Sequence, residues 1–370
     1  MSALRVFVLS PDAYTGYGGI AQASRDLIDS VLASPEVSEV HGLSRAREEN
    51  KQALPGRLRW RSPAGRGKAS LMRALLRALR EVPRCEVVLV THINLLPLAM
   101  LARVRWGARL AVVLHGVEAW WPRRRWLLRP LLAKVDRFLA VSDFTRQRFL
   151  AWTGLRGDKV AVHPNCVDLT RFSPGTVDHG LLRRHDLEGK RVLLLVARLS
   201  PEDAPNKGIE PTMEALPTLL EGDEDLVLAV AGKGEDRARL EARAGKLGVS
   251  DQVRFLGFVP DAEMPALYRS AAAYVMPGRG EGFGLVYLEA MACGTPVLGS
   301  TRDASQEVID AVGLGVVVDP EDRESLLSGL RQVLSMESGK RPARIEAFSR
   351  QAYAARTAEL LDELAEERRR

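Results

Sequence analysis

Several features that define whole classes of protein are absent from this sequence of 370 residues. No apolar run approaches the roughly 20 residues that a membrane-spanning helix needs, and the N-terminal segment LRVFVLS is too short and wrongly flanked for a signal peptide. The three cysteines, Cys85, Cys166 and Cys293, are scattered without a C-x-x-C pair, which indicates neither a disulfide framework nor a cysteine zinc site. We therefore expect a protein of the reducing cytoplasm.

Candidate metal ligands are sparse as well. The six histidines are dispersed, and His115 and Glu118 have no third ligand at a suitable spacing. The one D-x-D pair, Asp223 and Asp225, precedes a predicted strand and so lies at the wrong edge of a parallel sheet for a metal-bound diphosphate. We expect no cofactor and no obligatory metal. No recognised nucleic-acid-binding module is present, and we expect no nucleic acid partner.

What the sequence does contain is a long alternation of apolar strand-like runs and helical stretches. This pattern and the chain length predict an α/β fold with two Rossmann-like parallel-sheet domains that face each other across a cleft. The first domain is predicted to span 1–182 and the second 183–345, with a helix over 346–370 that packs back onto the first. The predicted strands are 4–9, 86–91, 109–114, 137–141, 191–196, 226–230, 253–256, 273–276, 296–298 and 315–318.

The net charge of +6 hides an uneven distribution. Residues 1–180 carry 28 lysines and arginines against 15 acids, whereas residues 181–370 carry 25 against 32. The two halves are therefore expected to face different partners or substrates.

The segment GEGFGLVYLEAMACGTPVLGS, residues 280–300, places two acids eight residues apart, Glu281 and Glu289. It reads as a glycine-rich loop at the carboxyl end of a strand, followed by a helix that Gly294 ends. A carboxylate is a good acceptor for sugar hydroxyl groups, and Glu281 and Glu289 suit the two sugars of a nucleotide sugar.

The start of that helix suits the phosphates between those two sugars. Gly284, Leu285 and Val286 lie at the helix N-terminus, where unpaired N–H groups and the macrodipole favour an anion. The segment therefore predicts a binding site for a nucleotide-diphosphate sugar.

This segment resembles the E-x7-E signature of the retaining GT-B glycosyltransferases, in particular those of family 4. The resemblance covers nearly the whole chain and implies a hexose transfer from GDP-mannose or a UDP-hexose to a glycan or lipid-linked acceptor, with retention through front-side attack. The other segments that carry it are AVSDFTRQRF (140–149), HPNCVDLTRFSP (163–174), VARLSPEDAPNKGIEPTMEAL (196–216) and VRFLGFVPDAEMPALY (253–268).

The resemblance also implies roles for individual residues. Arg198 and Lys207 follow a predicted strand and are expected to hold the diphosphate as it leaves. His115 is expected near a hydroxyl of the donor sugar. Gly18 and Gly19 resemble the glycine pair of the loop that approaches the transferred sugar or the acceptor.

The base of the nucleotide is expected to meet the backbone near Phe258 and Val259. The sequence departs from the family pattern at Cys166 and at Asp303, where the family often has glycine, and at Gly278, where it often has a small polar residue. We expect Asp303 to face the donor pocket, which leaves the identity of the donor open.

The first half also has two basic, apolar and aromatic segments, 57–84 and 120–130. Within 57–84, LMRALLRALR places Leu71, Met72, Leu75, Leu76 and Leu79 on one side of a predicted helix and Arg73, Arg77 and Arg80 on the other. Such a pattern is typical of a helix on an anionic membrane surface, but also of a leucine stripe that packs on a sheet beneath solvated arginines. Both interpretations remain open at the level of sequence.

Three other functions are compatible with parts of the sequence. A sugar-nucleotide epimerase shares the GT-B fold but needs no acceptor, and a non-catalytic nucleotide-binding protein could share it too. Gly16, Gly18 and Ala21 also satisfy G-x-G-x-x-A, a weak fingerprint for NAD, although these glycines follow the first strand too late.

Overall fold

The computed structural model describes residues 4–14, 16, 18–46, 54–121 and 129–369, with side chains up to residue 366. The chain forms two compact units. The first comprises Met1–Cys166 together with Arg350–Arg370, and the second comprises Val167–Ser349.

Parallel strands form the sheet of the first unit. Among the described residues these strands are β1 Leu4–Ser10, β2 Val37–Ser44, β3 Leu58–Arg61, β4 Val87–Val90, β5 Arg109–Leu114, β6 Arg137–Ala140 and β7 Val160–Val162. Their order is β3-β2-β1-β4-β5-β6-β7. The order reverses between β1 and β4, and ligands of such sheets bind at the carboxyl ends of the strands at this point.

Helices cover the sheet of the first unit. In its described part they are α1 Gly19–Ala33, α2 Lys68–Glu81, α3 Leu96–Trp106, α4 Val117–Trp120, α5 Arg129–Leu132 and α6 Asp143–Thr153. Strand β4 is buried along its whole length, as expected of a central strand with helices on both faces.

The second unit has the same architecture. Its described strands are β8 Arg191–Val196, β9 Leu226–Ala231, β10 Val253–Gly257, β11 Ala273–Val275, β12 Val297–Ser300 and β13 Gly315–Val318. They are parallel and lie in the order β10-β9-β8-β11-β12-β13, which reverses between β8 and β11.

Seven helices of the described chain accompany this second sheet. They are α7 His179–Arg184, α8 Ile209–Leu220, α9 Arg237–Leu247, α10 Met264–Ser270, α11 Leu285–Ala292, α12 Ser305–Val312 and α13 Arg323–Ser335. The chain then returns to the first unit with α14 Arg350–Arg369, which packs against α1. No described helix is long and apolar enough to cross a membrane.

The predicted α/β fold is confirmed, and each of the ten predicted strands is present. Three strands were not predicted, for physical reasons. Strand β2, VSEVHGLS, carries polar residues through its length, whereas β3 and β7 are edge strands of four and three residues. None of the three has the continuous apolar run by which a buried parallel strand is recognised.

The boundary between the units falls at residue 166, whereas the sequence suggested 182. The intervening segment packs within the second unit. The ring of Phe172 meets Tyr268 edge-on at 6.1 Å, and Arg269 donates a hydrogen bond of 2.7 Å to the carbonyl of Ser173. These contacts tie the segment to α10, which the sequence alone does not reveal.

In helix α2 the buried and exposed faces differ from the predicted ones. Leu71, Leu75 and Leu79 are buried in the core of the first unit, which confirms the packing interpretation for these three. Met72 and Leu76 are 37% and 41% exposed and lie with the arginines instead. A five-residue apolar set spans more of the helix circumference than one packing face can cover. Most of the basic core of segment 120–130, residues 122–128, lies outside the described residues.

Candidate active site

The loops after β8 and β11 form the candidate site of the second unit. Because these strands are neighbours at the point where the strand order reverses, their carboxyl ends lie side by side. The first loop, 197–208, leads into α8, and the second, 276–284, leads into α11. The topology thus brings together Lys207 and Glu281, which are 74 positions apart in the sequence.

Two glycines let these loops touch backbone to backbone. The N–H of Arg279 donates to the carbonyl of Asn206 at 3.0 Å. A Cβ on Gly208 would stand 2.4 Å from the carbonyl oxygen of Pro277, and one on Gly278 would stand 2.4 Å from that of Asn206. The departure from the family pattern at Gly278 therefore has a steric reason in this chain.

An ion pair joins the two loops. Lys207 Nζ lies 3.0 Å from Glu281 Oε2, with the side chains 21% and 23% exposed. The charge of Glu281 is the main cause that raises the pKa of Lys207, so the ammonium group stays charged at neutral pH. The long loop does not prevent Lys207 from reaching the signature segment.

Arg198 stands apart from this pair. Its side chain is 80% exposed and its guanidinium lies 3.1 Å from Asp203 Oδ2, within the same loop. The described structure therefore brings Lys207 and Glu281 together and leaves Arg198 as an exposed cation on the site's first loop.

A third loop, after β9, runs against the first. The backbone of Leu199 donates to the carbonyl of Lys233 at 2.9 Å. A Cβ on Gly232 would meet the carbonyl of Ala197 at 1.8 Å, and one on Gly234 would meet that of Leu199 at 1.9 Å, so only glycine fits at both positions. This contact holds Lys233 close to the Arg198 loop.

The predicted base-contacting residues differ from each other in exposure. Phe258 is 48% exposed and has Lys233 Nζ 5.2 Å from its ring centroid. Val259 is buried, so that only its backbone could contact a ligand. Lys233 was not predicted, although a G-K-G triplet directly after a buried strand is a signal that could have identified it.

The start of α11 has the geometry expected of an anion site. Gly284 has φ +94°, and a Cβ there would stand 2.4 Å from the ring of Tyr287. Leu285 and Val286, both half-buried, are the first residues of the helix, and the N–H groups of a first turn have no acceptor within the helix. The helix start thus presents donors four and five residues after Glu281.

A hydrogen bond from the neighbouring helix α10 orients Glu289. Glu289 is half-buried on α11, and the hydroxyl of Tyr268 on α10 donates a hydrogen bond of 2.8 Å to Glu289 Oε2. Tyr268 is completely buried, which raises the pKa of its hydroxyl well above the usual value, so this group is a donor at any ordinary pH. The sequence did not indicate Tyr268, because its role depends on a tertiary contact.

Asp303, which we expected to face the donor pocket, is buried beside the Glu281 loop. It is only 2% exposed, and its carboxylate accepts hydrogen bonds from the backbone of Glu281 at 3.1 Å and from Ser305 Oγ at 2.6 Å. Burial raises the pKa of Asp303 to about 7. Its described contacts are with the protein's own loop, next to the Lys207–Glu281 pair.

In the first unit, the predicted residues lie at the carboxyl ends of β1 and β5. Gly18 has φ +102°, and a Cβ there would meet no atom within 4 Å, so the space above it is open. Gly18 and Gly19 are exposed at the start of α1, beside Ile20, which is 40% exposed.

His115 follows β5 and is half-buried. Its Nε2 lies 2.7 Å from the carbonyl oxygen of Thr91, which can only accept, so Nε2 carries the proton in this contact. The carboxylate of Glu118 accepts from the backbone N–H of His115 at 2.6 Å. These bonds fix the ring, and Thr91 follows β4 at the reversal point of the first sheet.

Within the part of the chain that the structure describes, no group of three or more histidine, cysteine, aspartate or glutamate side chains could hold a metal ion. Asp223 pairs with Arg191 at 2.8 Å and Asp225 with Lys190 at 2.7 Å. These two acids therefore serve surface ion pairs.

Two family models match this chain. A model described as "Glycosyl transferases group 1" matches residues 182–352, and one described as "Glycosyltransferase Family 4" matches residues 20–171. Together they include the loops that carry the candidate site.

Relatives with assigned activities are found among mycobacteria. A GDP-mannose-dependent alpha-(1-6)-phosphatidylinositol monomannoside mannosyltransferase of Mycolicibacterium smegmatis is 32% identical over 286 residues, covering 72% of this chain and 74% of that protein. A phosphatidyl-myo-inositol mannosyltransferase of Mycobacterium tuberculosis is 38% identical over 213 residues, covering 56% of this chain and 53% of that protein. The match thus spans about half the length of the second relative.

Solved structures share the fold. Sucrose-phosphate synthase from Thermosynechococcus elongatus aligns with a TM-score of 0.82 at 20% identity, covering 98% of this chain and 99% of that one. The Anabaena protein HepE, in complex with UDP-glucose, aligns with a TM-score of 0.77 at 18% identity, covering 97% and 100%. At these identities the likeness establishes the fold alone.

Proposed function

This chain belongs to the family 4 glycosyltransferases, with the two parallel-sheet units of the GT-B fold, and from that premise we propose that it transfers mannose from GDP-mannose to a lipid-linked acceptor with retention of configuration. The observation that carries the proposal is the Lys207–Glu281 ion pair next to the start of α11. It supplies a fixed cation and a fixed carboxylate where the donor's diphosphate and sugar would bind.

The diphosphate is assigned to Lys207 and the first N–H groups of α11. A carboxylate close to a phosphate would normally repel it, but the charge of Glu281 is balanced by Lys207 at 3.0 Å. The helix start then adds its own positive end. The exposed Arg198 adds a second cation that can meet the phosphate once the donor is bound.

The two acids are assigned to the two sugars of the donor. Glu289, held by Tyr268, accepts hydrogen bonds from the ribose hydroxyls, and Glu281 accepts from hydroxyls of the transferred hexose. The base lies near Phe258 and the backbone of Val259. Asp303 supports this arrangement from the protein side rather than by touching the donor.

In the transfer step the bond between the anomeric carbon and the β-phosphate oxygen breaks, and the acceptor oxygen bonds to the same face of the sugar. The proton of the acceptor hydroxyl passes to the departing phosphate. Lys207 and Arg198 stabilise the charge that develops on this phosphate. His115 orients a sugar hydroxyl, and the open backbone at Gly18 and Gly19 admits the acceptor.

The choice of donor and acceptor is supported by the relatives. Both mycobacterial relatives are named as mannosyltransferases that act on phosphatidylinositol or its monomannoside, and one is named as dependent on GDP-mannose. UDP-hexoses are the alternative donors. A phosphoinositide or a related glycolipid has the hydroxyl groups that such a transfer needs.

A lipid-linked acceptor requires access to a membrane surface. Met72 and Leu76 are exposed on α2 beside Arg73, Arg77 and Arg80. We propose that this face, the α2 basic face, binds the anionic surface of the cytoplasmic leaflet. The protein would then be peripheral to the membrane that holds its acceptor.

The experiment is an assay of the purified protein with GDP-mannose, UDP-glucose and UDP-galactose, with and without phosphatidylinositol in vesicles. Nucleotide release and lipid product are measured together, and the anomeric configuration of the product is read by NMR. Lys207→Ala and Glu289→Ala are compared with Lys246→Ala and Glu224→Ala, which are exposed elsewhere in the second unit. We expect the first two to lower kcat/KM by about a hundredfold or more, Lys207→Ala through kcat and Glu289→Ala mainly through KM, and the controls to retain it.

Other outcomes identify the other functions. Sugar-nucleotide product without acceptor would indicate an epimerase. Nucleotide binding in calorimetry without turnover would indicate a non-catalytic protein. An inverted product, or full activity in both Lys207→Ala and Glu289→Ala, would refute the proposed mechanism or its site.

A further inference from the structure

The backbone of Glu281 is held on both sides by the turn that follows β12. Its N–H donates to Asp303 Oδ2 at 3.1 Å, and its carbonyl accepts from the N–H of Ala304 at 3.0 Å. One turn thus satisfies both main-chain polar groups of the residue that pairs with Lys207. The conformation of Glu281 is therefore tied to the conformation of Asp303.

Asp303 is in turn fixed by the first residue of α12, the helix that follows it. Asp303 Oδ1 accepts from the backbone N–H of Ser305 at 3.0 Å and from Ser305 Oγ at 2.6 Å. The Ser305 hydroxyl also accepts from the N–H of Ser300, the last residue of β12, at 2.9 Å. A continuous chain of hydrogen bonds thus runs from the central sheet to the Lys207–Glu281 pair.

We propose that Asp303 is a positioning residue for sugar transfer. Its carboxylate accepts a hydrogen bond from the backbone N–H of Glu281, and this Asp303–Glu281 hydrogen bond fixes where Glu281 and Lys207 meet the sugar donor. This inference rests on the proposed function of that site. The carboxylate stands at a position where the sequence departs from the family pattern, which often has glycine there.

Because Asp303 can be protonated, the Asp303–Glu281 hydrogen bond is sensitive to pH. Burial, and to a lesser extent the charge of Glu281, raise the pKa of Asp303 to about 7, while the Ser305 hydrogen bonds oppose the rise. The charge of Glu281 acts on Asp303, and the charge of Asp303 acts on Lys207 and on the Tyr287 hydroxyl of α11. The neighbouring Arg302 is exposed and paired with Asp319.

Three donors converge on the two oxygens of Asp303, and only the ionised carboxylate accepts from all of them. Below pH 7 one oxygen of Asp303 carries a proton and becomes a donor, which weakens the Asp303–Glu281 hydrogen bond. Turnover is therefore expected to rise as the pH increases through about 7, which is the pKa of Asp303.

The test compares Asp303→Asn with Asp310→Asn, the same change at an exposed position of α12, the helix that follows the Asp303 turn. We expect Asp303→Asn to lower kcat by about ten- to a hundredfold, with a smaller change in KM for the donor, and to remove the inflection near pH 7. Hydrogen exchange followed by mass spectrometry should show faster exchange in the segment around Glu281 in Asp303→Asn alone.

The results separate this inference from the proposed function. An unchanged pH profile and unchanged exchange in Asp303→Asn, while Lys207→Ala is inactive, would overturn the role of Asp303 and leave the site assignment intact. If the wild-type protein turns over no sugar donor, the proposed function fails. In that case faster hydrogen exchange around Glu281 in Asp303→Asn still supports the Asp303–Glu281 hydrogen bond, and unchanged exchange overturns it.

Discussion

The buried hydroxyl of Tyr268 donates a hydrogen bond of 2.8 Å to Oε2 of Glu289, and so joins α10 to the second acid of the signature segment. Tyr268 belongs to an aromatic cluster, since its ring also meets the ring of Tyr274 edge-on at 5.8 Å. Glu289 thus cannot rotate freely between its rotamers without losing a bond to a buried group. Its carboxylate is oriented before any ligand arrives.

Tyr268→Phe should therefore weaken donor binding more than it slows transfer. Hydrogen bonds to charged groups contribute about 1.5–3 kcal/mol, so we expect KM for the nucleotide sugar to rise by roughly ten- to a hundredfold. Because Glu289 is assigned to the ribose rather than the transferred sugar, kcat should change much less. Steady-state kinetics and calorimetry with GDP measure the two effects.

Tyr274→Phe is the matched control for this change. Tyr274 is equally buried, but its hydroxyl contacts the sulfur of Met276 at 3.4 Å and the backbone of Val196, and it makes no hydrogen bond to Glu289. Its removal should leave KM within about twofold of the wild-type value. Equal effects of both substitutions would show that Tyr268 acts only through packing.

Gly208 offers a second test of the site, because it sets the approach of the Lys207 loop. It has φ +72°, and an added Cβ would stand 2.4 Å from the carbonyl oxygen of Pro277. Gly208→Ala should displace Lys207 from Glu281 and reduce turnover by at least about tenfold. Gly248 has the same φ of +72° but no atom within 4 Å of an added Cβ.

Gly248→Ala therefore isolates the cost of the backbone conformation. We expect it to lower the free energy of unfolding by about 1 kcal/mol through strain and to leave turnover unchanged. Gly208→Ala should cost more, because the clash with Pro277 adds to the strain. Similar kinetics for the two variants would mean that the contact between the loops does not position Lys207.

Part of this site was accessible from the sequence alone. Gly284, Glu281 and Glu289 stand out because the glycines and acids of one segment follow each other at short range, and local patterns of that kind survive without tertiary information. The hydrogen bonds of Tyr268 to Glu289 and of Asp303 to Glu281 could not be predicted, since each joins elements that are distant in sequence.

The fold shows the same division between local and tertiary information. Apolar runs identified the central strands, but β2 carries Glu39 and His41 within a buried sheet and therefore does not look like one. In α2 the helical period was evident, whereas the width of the packed face depends on how many side chains the sheet can accommodate. Met72 and Leu76 consequently fell on the wrong face.

The buried ring of His163 leads to a prediction of how the stability of the first unit depends on pH. The ring is buried, stacks on Tyr353 at 4.6 Å, and has Nε2 3.2 Å from Thr357 Oγ1, so it links the chain after β7 to α14. Burial lowers the pKa of His163 to about 4, from an ordinary value of 6.5. Between these two values the unfolded chain binds a proton that the folded protein does not.

The stabilisation from neutral His163 is therefore complete above about pH 6.5 and is lost as the pH falls towards 4. The pKa difference corresponds to at most about 3 kcal/mol of unfolding free energy. All six tryptophans lie between residues 60 and 152, so urea unfolding followed by tryptophan fluorescence reports on the first unit. His163→Gln should flatten the decline, and His92→Gln, half-buried in the same unit, should keep it.

The α2 basic face leads to a prediction about membranes. Burial of two half-exposed apolar side chains, Met72 and Leu76, in the lipid interface would contribute about 1 kcal/mol each. Nearby arginines add about 1 kcal/mol each on an anionic surface. Co-sedimentation should therefore be stronger with vesicles that contain phosphatidylserine than with phosphatidylcholine alone, and should weaken as salt is raised.

Met72→Ser combined with Leu76→Ser should reduce binding to anionic vesicles by about tenfold or more, because the apolar contribution is lost while the charges remain. Val104→Ser is the control, since Val104 is 79% exposed on α3 and lies outside the α2 basic face. Arg73→Gln with Arg77→Gln should instead abolish the preference for anionic lipid. Equal binding to both kinds of vesicle by the wild-type protein would remove the membrane role of α2, while soluble acceptor analogues would still test the transfer reaction itself.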